Sequence, residues 1–369
     1  MKKIAIIGAS YLQIPIVRKA KEMGIETHCF AWEDGAVCKT IADYFYPISI
    51  LDKEKIFEIC KTIEIDGITT IATDMAVPTI CYVAEKLNLV SNSYYSSLIS
   101  TNKGLMRKAF EEKKINCPKF LVVDLPIEQI EGFRYPVIIK PVDRSGSRGV
   151  KKIETPFQIK DAVKYAISES FIGNAIIEEF IEGKEFSVET ISWDGVHYVL
   201  AITEKVTTGA PHFVELSHHQ PSSLPKFVQD HIKIETQKVL DSLNIKFGAG
   251  HTEFKITDKN EIFVIEVGAR MGGDFIGSHM VQLSTGYDFV KGVIDVALNQ
   301  FTEPIVNIQK HSGVYFLCEE TKSLLPYFEN NNDFDVEKNI QNNVLVNVTN
   351  SNDRSGYLIY QSSKKIELS

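Results

Sequence analysis

Residues 246–273, KFGAGHTEFKITDKNEIFVIEVGARMGG, constrain this chain more than any other stretch. Alternating runs at 249–256 and 261–267 flank the turn-forming Thr257-Asp258-Lys259-Asn260, which predicts an antiparallel hairpin. An even-length loop centred on Asp258-Lys259 places Phe254, Ile256, Phe263, Ile265 and Val267 on one face. His251, Glu253, Lys255 and Glu266 then share the other. In that register Glu253 faces Val264, and Glu266 is its diagonal neighbour, roughly 7–8 Å away at the backbone. Carboxylates so placed can reach inward and share a divalent cation, whereas an odd-length loop separates them onto opposite faces. Oxygen ligands with no Cys or paired His at metal spacing suit Mg²⁺ (or Mn²⁺), which adds waters and substrate phosphates to one or two carboxylates. Arg270 supplies a fixed positive charge, and the glycines of the following MGGDFIG let backbone N–H groups approach an anion. Together these describe a phosphate-transfer site. A surface hairpin with solvated charges is the competing reading, and the rest of the chain decides between them.

The 369 residues give room for more than one domain and an ample core. A net charge of −8 excludes non-specific nucleic-acid binding as a function class, so any phosphate ligand needs a local positive site. Cys29, Cys38, Cys60, Cys81, Cys117 and Cys318 show no CxxC and read as buried thiols in a reducing, cytoplasmic setting. MKKIAIIGAS reads as a first strand rather than a signal peptide, and no apolar run reaches membrane-spanning length.

Strands at 3–8, 27–31 and 68–73 alternate with helices at 12–23, 53–63 and 76–87, which predicts a doubly wound parallel sheet. GASYLQ lacks the second and third glycines of GxGxxG, so it does not imply a dinucleotide site. Asp74 falls at a strand's carboxyl end, as a ligand contact or a helix cap. Lys103 opens a helix against the macrodipole preference, which a nearby phosphate would explain. The apolar strand 136–141 ends at Lys140-Pro141. The flexible loop Asp143–Val150, with Ser145, Gly146, Ser147 and Gly149, can fold over a triphosphate as a hairpin flap. At 175–181 the strand AIIEEFI offers backbone groups that can read adenine, and Glu185 can accept from ribose hydroxyls. Residues 207–224 read as a polar loop, whose His212, His218 and His219 have substrate-lining or structural roles rather than zinc. Residues 227–243 and 286–299 read as helices, 312–318 as a strand and 343–360 as a hairpin turning at 350–355.

In this order and spacing the pieces resemble the ATP-grasp superfamily over roughly residues 1–300. The resemblance implies an α/β (α+β) ATP-grasp fold. Its parts are a pre-grasp domain at 1–95, an ATP-grasp domain at 96–300 with a flap subdomain about 117–181, and a small β-rich C-terminal unit at 301–369. It implies that Lys103 and Lys140 contact ATP phosphates under a flap containing Ser145, Gly146, Ser147, Gly149 and Val150. By the same resemblance Glu178, Glu179, Phe180 and Ile181 form the adenine hinge, Glu185 holds ribose, and Glu253 and Glu266 bind Mg²⁺. Many members have Asn two residues after the second metal carboxylate; here that residue is Gly268. Glu266-Val-Gly-Ala-Arg270 and PHFVELSHH look like the branch of L-amino-acid ligases and related carboxylate–amine ligases. There the arginine is catalytic, beside the transferred phosphoryl group and the acyl phosphate. The implied function is ATP-dependent ligation of a small-molecule carboxylate to an amine, forming ADP, with a homodimer left open. A carboxylating or carbamoyl-phosphate-synthase-like enzyme using bicarbonate is the alternative, followed by a nucleotide-binding regulator without catalysis.

Overall fold

A computed structural model describes residues 1–307 and 310–368. Near the N-terminus β1 (Lys3–Ile7), β2 (Glu26–Ala31), β3 (Tyr44–Pro47) and β4 (Gly67–Thr69) form a parallel sheet ordered β3-β2-β1-β4. Ile4, Ala5, Ile6 and Ile7 are all fully buried, the pattern of a strand covered on both faces. Helices α1 (Ile14–Glu22), α2 (Lys53–Ile63) and α3 (Val77–Leu87) supply the alternation expected of a doubly wound sheet. β4 stops three residues after it starts rather than running on to 73. Beyond it Ala72 takes a positive φ, and its N–H bonds to the carbonyl of Met271, just past the long hairpin. This contact sets the carboxyl end of the N-terminal sheet against the segment carrying Arg270.

Helices α4 (Tyr94–Thr101) and α5 (Lys103–Glu112) lead into a second sheet of β5 (Phe120–Val123), β6 (Val137–Pro141), β7 (Lys151–Ile153) and β8 (Ala175–Glu179). Its order is β5-β8-β6-β7, all antiparallel. Helix α6 (Ile159–Glu169) closes one face, packing Ile159, Val163 and Ala166 against Val137, Ile139 and Ile177. The loop expected to be a flap joins β6 to β7. There Gly149 has φ +73, and a Cβ on it would lie 2.7 Å from Pro141 Cγ, so the turn needs glycine on both counts.

The third sheet has eight strands. They are β9 (Lys184–Trp193), β10 (Val196–Thr207), β11 (Glu215–Gln220), β12 (Gly248–Ile256), β13 (Ile262–Gly268), β14 (His311–Leu317), β15 (Asp335–Ile340) and β16 (Gly356–Ser362), ordered β13-β12-β9-β10-β11-β14-β16-β15. The C-terminal β strands therefore extend the central sheet. Two elements differ from the sequence reading. Within 207–224, β11 is a buried strand despite its polarity. Gln220 donates to Thr203 Oγ1 at 2.8 Å, and His219 Nδ1 meets the Tyr360 hydroxyl at 2.9 Å, so side-chain partners replace hydrophobicity. The C-terminal hairpin pairs 335–340 with 356–362, not 343–349 with the last strand. Val344 and Val346 alternate like a strand but stay exposed in the connection.

The organising hairpin is β12–β13. Its turn, Thr257–Glu261, has odd length, which by itself would separate Glu253 from Glu266. A β-bulge at Ile265 absorbs the extra residue: Phe254 pairs with Val264, Glu253 directly with Glu266. The carboxylates share a face as expected, but directly opposite each other rather than diagonal. The apolar face changes accordingly. Ile262 and Val264, not Phe263 and Ile265, are buried with Phe254, Ile256 and Val267, packing on helix α7 (Lys226–Ser242) through Ile232 and Leu240.

Candidate active site

The flap sheet and the eight-stranded sheet face each other across a cavity of about 190 Å³. Lys103, Lys140, Ser145, Gly146, Ser147, Val150, Glu178, Glu179, Phe180, Ile181, Glu185, Glu253, Glu266 and Arg270 all line it. Gly149 packs on Pro141 instead. Residues more than 160 positions apart in the chain are thus brought to one groove.

The walls are built from buried charges in interlocking pairs. At the end of β8, Glu178 is 3% exposed and lies 2.8 Å from Lys140 Nζ and 2.7 Å from Arg107 Nε. Burial alone would raise its pKa; Arg107 and Lys140 outweigh that and hold the carboxyl below its ordinary value. Arg107 also donates to the Ile265 carbonyl at 2.5 Å, which ties α5 to the bulge. Lys103 Nζ meets Glu266 Oε1 at 2.9 Å and the Arg144 carbonyl at 2.5 Å. An acidic partner and a loop carbonyl explain a lysine at a helix start, and Asn102 caps the helix in its place.

On the opposite strand, Glu253 accepts from Lys205 Nζ at 2.7 Å, and His251 Nε2 is 3.2 Å from the same oxygen. Nδ1 of His251 contacts the fully buried Glu189. Desolvation pushes His251 down, but Glu189 outweighs it and raises the imidazole to about 9, so it is a cation at neutral pH. Burial likewise opposes charge on Lys205, yet Glu253, Glu215 and Glu185 raise its pKa. Toward the hinge, Lys255 Nζ lies 3.4 Å from Glu185 and 4.6 Å from the Phe180 ring centre. The N–H groups of Glu179 and Phe180 are already used by the Lys119 and Pro136 carbonyls. Those two donors are therefore not free to read a base, contrary to what an isolated strand end suggests.

Arg270 is paired with Asp74 of the N-terminal unit, NH2 to Oδ2 at 2.7 Å. The pair accounts for Gly268. A Cβ there would lie 2.6 Å from Asp74 Oδ1 and 2.9 Å from Arg270 Cζ, so the room an Asn side chain would need is taken. Among the described residues no group of three or more His, Cys, Asp or Glu is arranged to hold a metal ion. Two opposed carboxylates fit a hard cation that completes its shell with phosphate oxygens and water. His218 and His219 point to opposite sides of β11: His218 Nε2 lies 3.8 Å from Asp274, while His219 bonds Ser217 and Tyr360.

Arg107, Lys205 and Glu189 were not singled out from sequence, whereas strand alternation puts His251 on the face of Glu253. Arg107 had a signal, since it follows Lys103 by one helical turn and must share its face. For Lys205 and Glu189 the signal lies in cross-strand pairing, which sequence spacing does not reveal.

Residues 133–278 match the ATP-grasp domain family, in line with the resemblance drawn from the motifs. The chain is 26% identical over 271 residues to the alanine–anticapsin ligase of Bacillus subtilis (strain 168), covering 64% of this chain and 57% of that protein. It is 24% identical over 265 residues to the carbamoyl phosphate synthase large chain of Caldanaerobacter subterraneus subsp. tengcongensis, 70% of this chain but 24% of that one. The chain thus spans little more than half of the first relative and about a quarter of the second. In fold it is similar to the L-amino acid ligase from Bacillus licheniformis, with TM-score 0.81, 22% identity, and coverage of 99% of this chain and 94% of that one. It is also similar to the N5-carboxyaminoimidazole synthetase from Staphylococcus aureus complexed with ADP, with TM-score 0.80, 16% identity and coverage of 98% and 94%.

Proposed function

We propose that this chain is an ADP-forming ligase that joins a small-molecule carboxylate, amino-acid-like, to an amine through an acyl phosphate. One observation carries the reading. Glu253 and Glu266 stand opposite each other on the wall of a cavity that also holds Lys103, Lys140 and Arg270. The positive groups gather where the terminal phosphoryl group of ATP would lie if Glu185 and the hinge hold its nucleoside end.

The roles follow from charge. Lys103 and Lys140 sit beside carboxylates in the free protein and neutralise phosphate oxygens when ATP enters. Glu253 and Glu266 would hold Mg²⁺ or Mn²⁺, which supplies charge compensation on the transferring group. The substrate carboxylate attacks the γ-phosphorus in line and ADP leaves. The amine then displaces phosphate from the acyl carbon while Arg270 stabilises the developing negative charge. Loop 143–150 covers the site and excludes water, which would hydrolyse the acyl phosphate.

The similarity to carbamoyl phosphate synthase and N5-carboxyaminoimidazole synthetase supports a second reading, in which bicarbonate is the acid. One assay separates them. ATP turnover is followed with Mg²⁺ and either pooled L-amino acids or bicarbonate, and the nucleotide product is identified. ADP release that needs amino acids supports the ligase; release that needs only bicarbonate supports the alternative. AMP as the main product overturns both.

A further inference from the structure

Arg270 and Asp74 meet at a single point although both side chains can make two. NH2 and Oδ2 are 2.7 Å apart, while Arg270 Nε and Asp74 Oδ1 are each buried without a hydrogen-bond partner. A carboxylate–guanidinium pair frequently makes two parallel N–H···O bonds. The offset leaves a donor and an acceptor unused on adjacent side chains, next to Gly268, whose missing side chain makes the arrangement possible.

Asp74 also borders a second cavity of about 240 Å³, with an apolar wall of Leu51, Met75, Pro78 and Met106. Lys103, Arg144, Ser145 and Glu266 line both this cavity and the nucleotide cavity, so the two adjoin. A molecule in the second cavity would approach the terminal phosphate past Asp74.

Resting on the ligase reading above, we infer that this second cavity receives the amine substrate, that the amine carries an apolar side chain, and that Asp74 takes the proton from its ammonium group. The step balances as follows. One N–H proton passes to Asp74, and the freed nitrogen lone pair forms the C–N bond to the acyl carbon. The C–O bond to phosphate then breaks, with its electron pair leaving on phosphate. A second N–H proton departs with that phosphate, giving the amide. Arg270, held by Oδ2, donates to the oxygen that gathers charge. Asp74 therefore both touches the nucleophile and positions the arginine.

The test uses a nucleophile that needs no base. Hydroxylamine is uncharged at neutral pH and attacks acyl phosphates directly. Wild-type and Asp74→Asn proteins are assayed for ADP release with Mg-ATP and pooled L-amino acids, with and without hydroxylamine, and for hydroxamate. Asp74→Asn should lower amino-acid-dependent turnover about a hundredfold, and hydroxamate formation at least tenfold less than that. Formate added to Asp74→Ala should restore part of the amino-acid-dependent rate. Equal losses with both nucleophiles and no rescue by formate would reduce Asp74 to a prop for Arg270 and overturn the proposal, as would no loss at all. A wild type that releases no ADP with either nucleophile would instead sink the ligase reading on which it rests.

Discussion

Strands β1 and β2 and the walls of the charged groove are buried to a similar degree and made of opposite chemistry. Ile4, Ile6, Ile7, Cys29 and Phe30 are fully buried in the first, while Arg107, Glu178, Lys140, Glu189 and His251 are 0–7% exposed in the second. The apolar sheet is what folding alone favours. The groove is not, because taking ions out of water is repaid only when geometry is good, and well-packed apolar residues often do as well or better. On the function proposed above, the groove's charges are held ready for a ligand. Each carboxylate is matched by a cation that a phosphate could claim.

That contrast can be broken at several points. Removing side chain from the sheet should harm only stability. Ile6→Ala should destabilise the protein by about 3–4 kcal/mol, read from denaturant unfolding, with the affinity for Mg-ATP of the folded protein unchanged. A large change in affinity would mean that the two regions are not independent. Arg270→Ala should do the reverse, raising the barrier by on the order of 3 kcal/mol, about a hundredfold in rate. Its ATP affinity should change little, because its contact strengthens as charge develops. Lys140→Met should reduce the thermal shift produced by Mg-ATP, by roughly 2 kcal/mol of lost charged contact. An unchanged shift would place the nucleotide elsewhere.

The same variant sharpens the comparison with pH. In the folded protein Glu178 lies below its ordinary value, because Arg107 and Lys140 outweigh burial. Its stabilising contribution is therefore full above the ordinary glutamate range and is lost as pH falls through the lowered value. Without Lys140 the acid loss should begin at higher pH in unfolding curves; Ile6→Ala should leave that edge where it was. The smallest expected effect concerns loop 144–150, whose amides should exchange more slowly with Mg-ATP than without it. Equal protection in both states would argue against a flap.

How much of this was legible depends on what each element is buried against. The N-terminal sheet reads directly, since apolar runs between helical stretches have one packing solution. Of the groove's charges, Lys140 and Glu178 were legible because they sit at the ends of apolar strands, whereas Lys205 and Glu189 lie within strands and were not. β11 was hidden, as its Ser217, His218, His219 and Gln220 are buried by polar partners on other strands. The Asp74–Arg270 pair was hidden for another reason. It joins two units through residues 196 positions apart, and no local pattern announces such a contact. Gly268 was seen as a departure, but only the packing of Asp74 against it explains why a side chain has no room there.

The bulge at Ile265 has a consequence for mutation in the genetic sense. It lies between the turn and the paired carboxylates, so the length of the turn and the phase of the site are separate quantities. Deleting Ile265 removes the bulge and leaves Glu266 directly opposite Glu253 on a regular ladder, so that lesion preserves the phase of the site. Keeping Ile265 but straightening the strand does the opposite: Ile265 then pairs with Glu253, and Glu266 turns to the other face. A lost residue is thus tolerated where a lost kink is not.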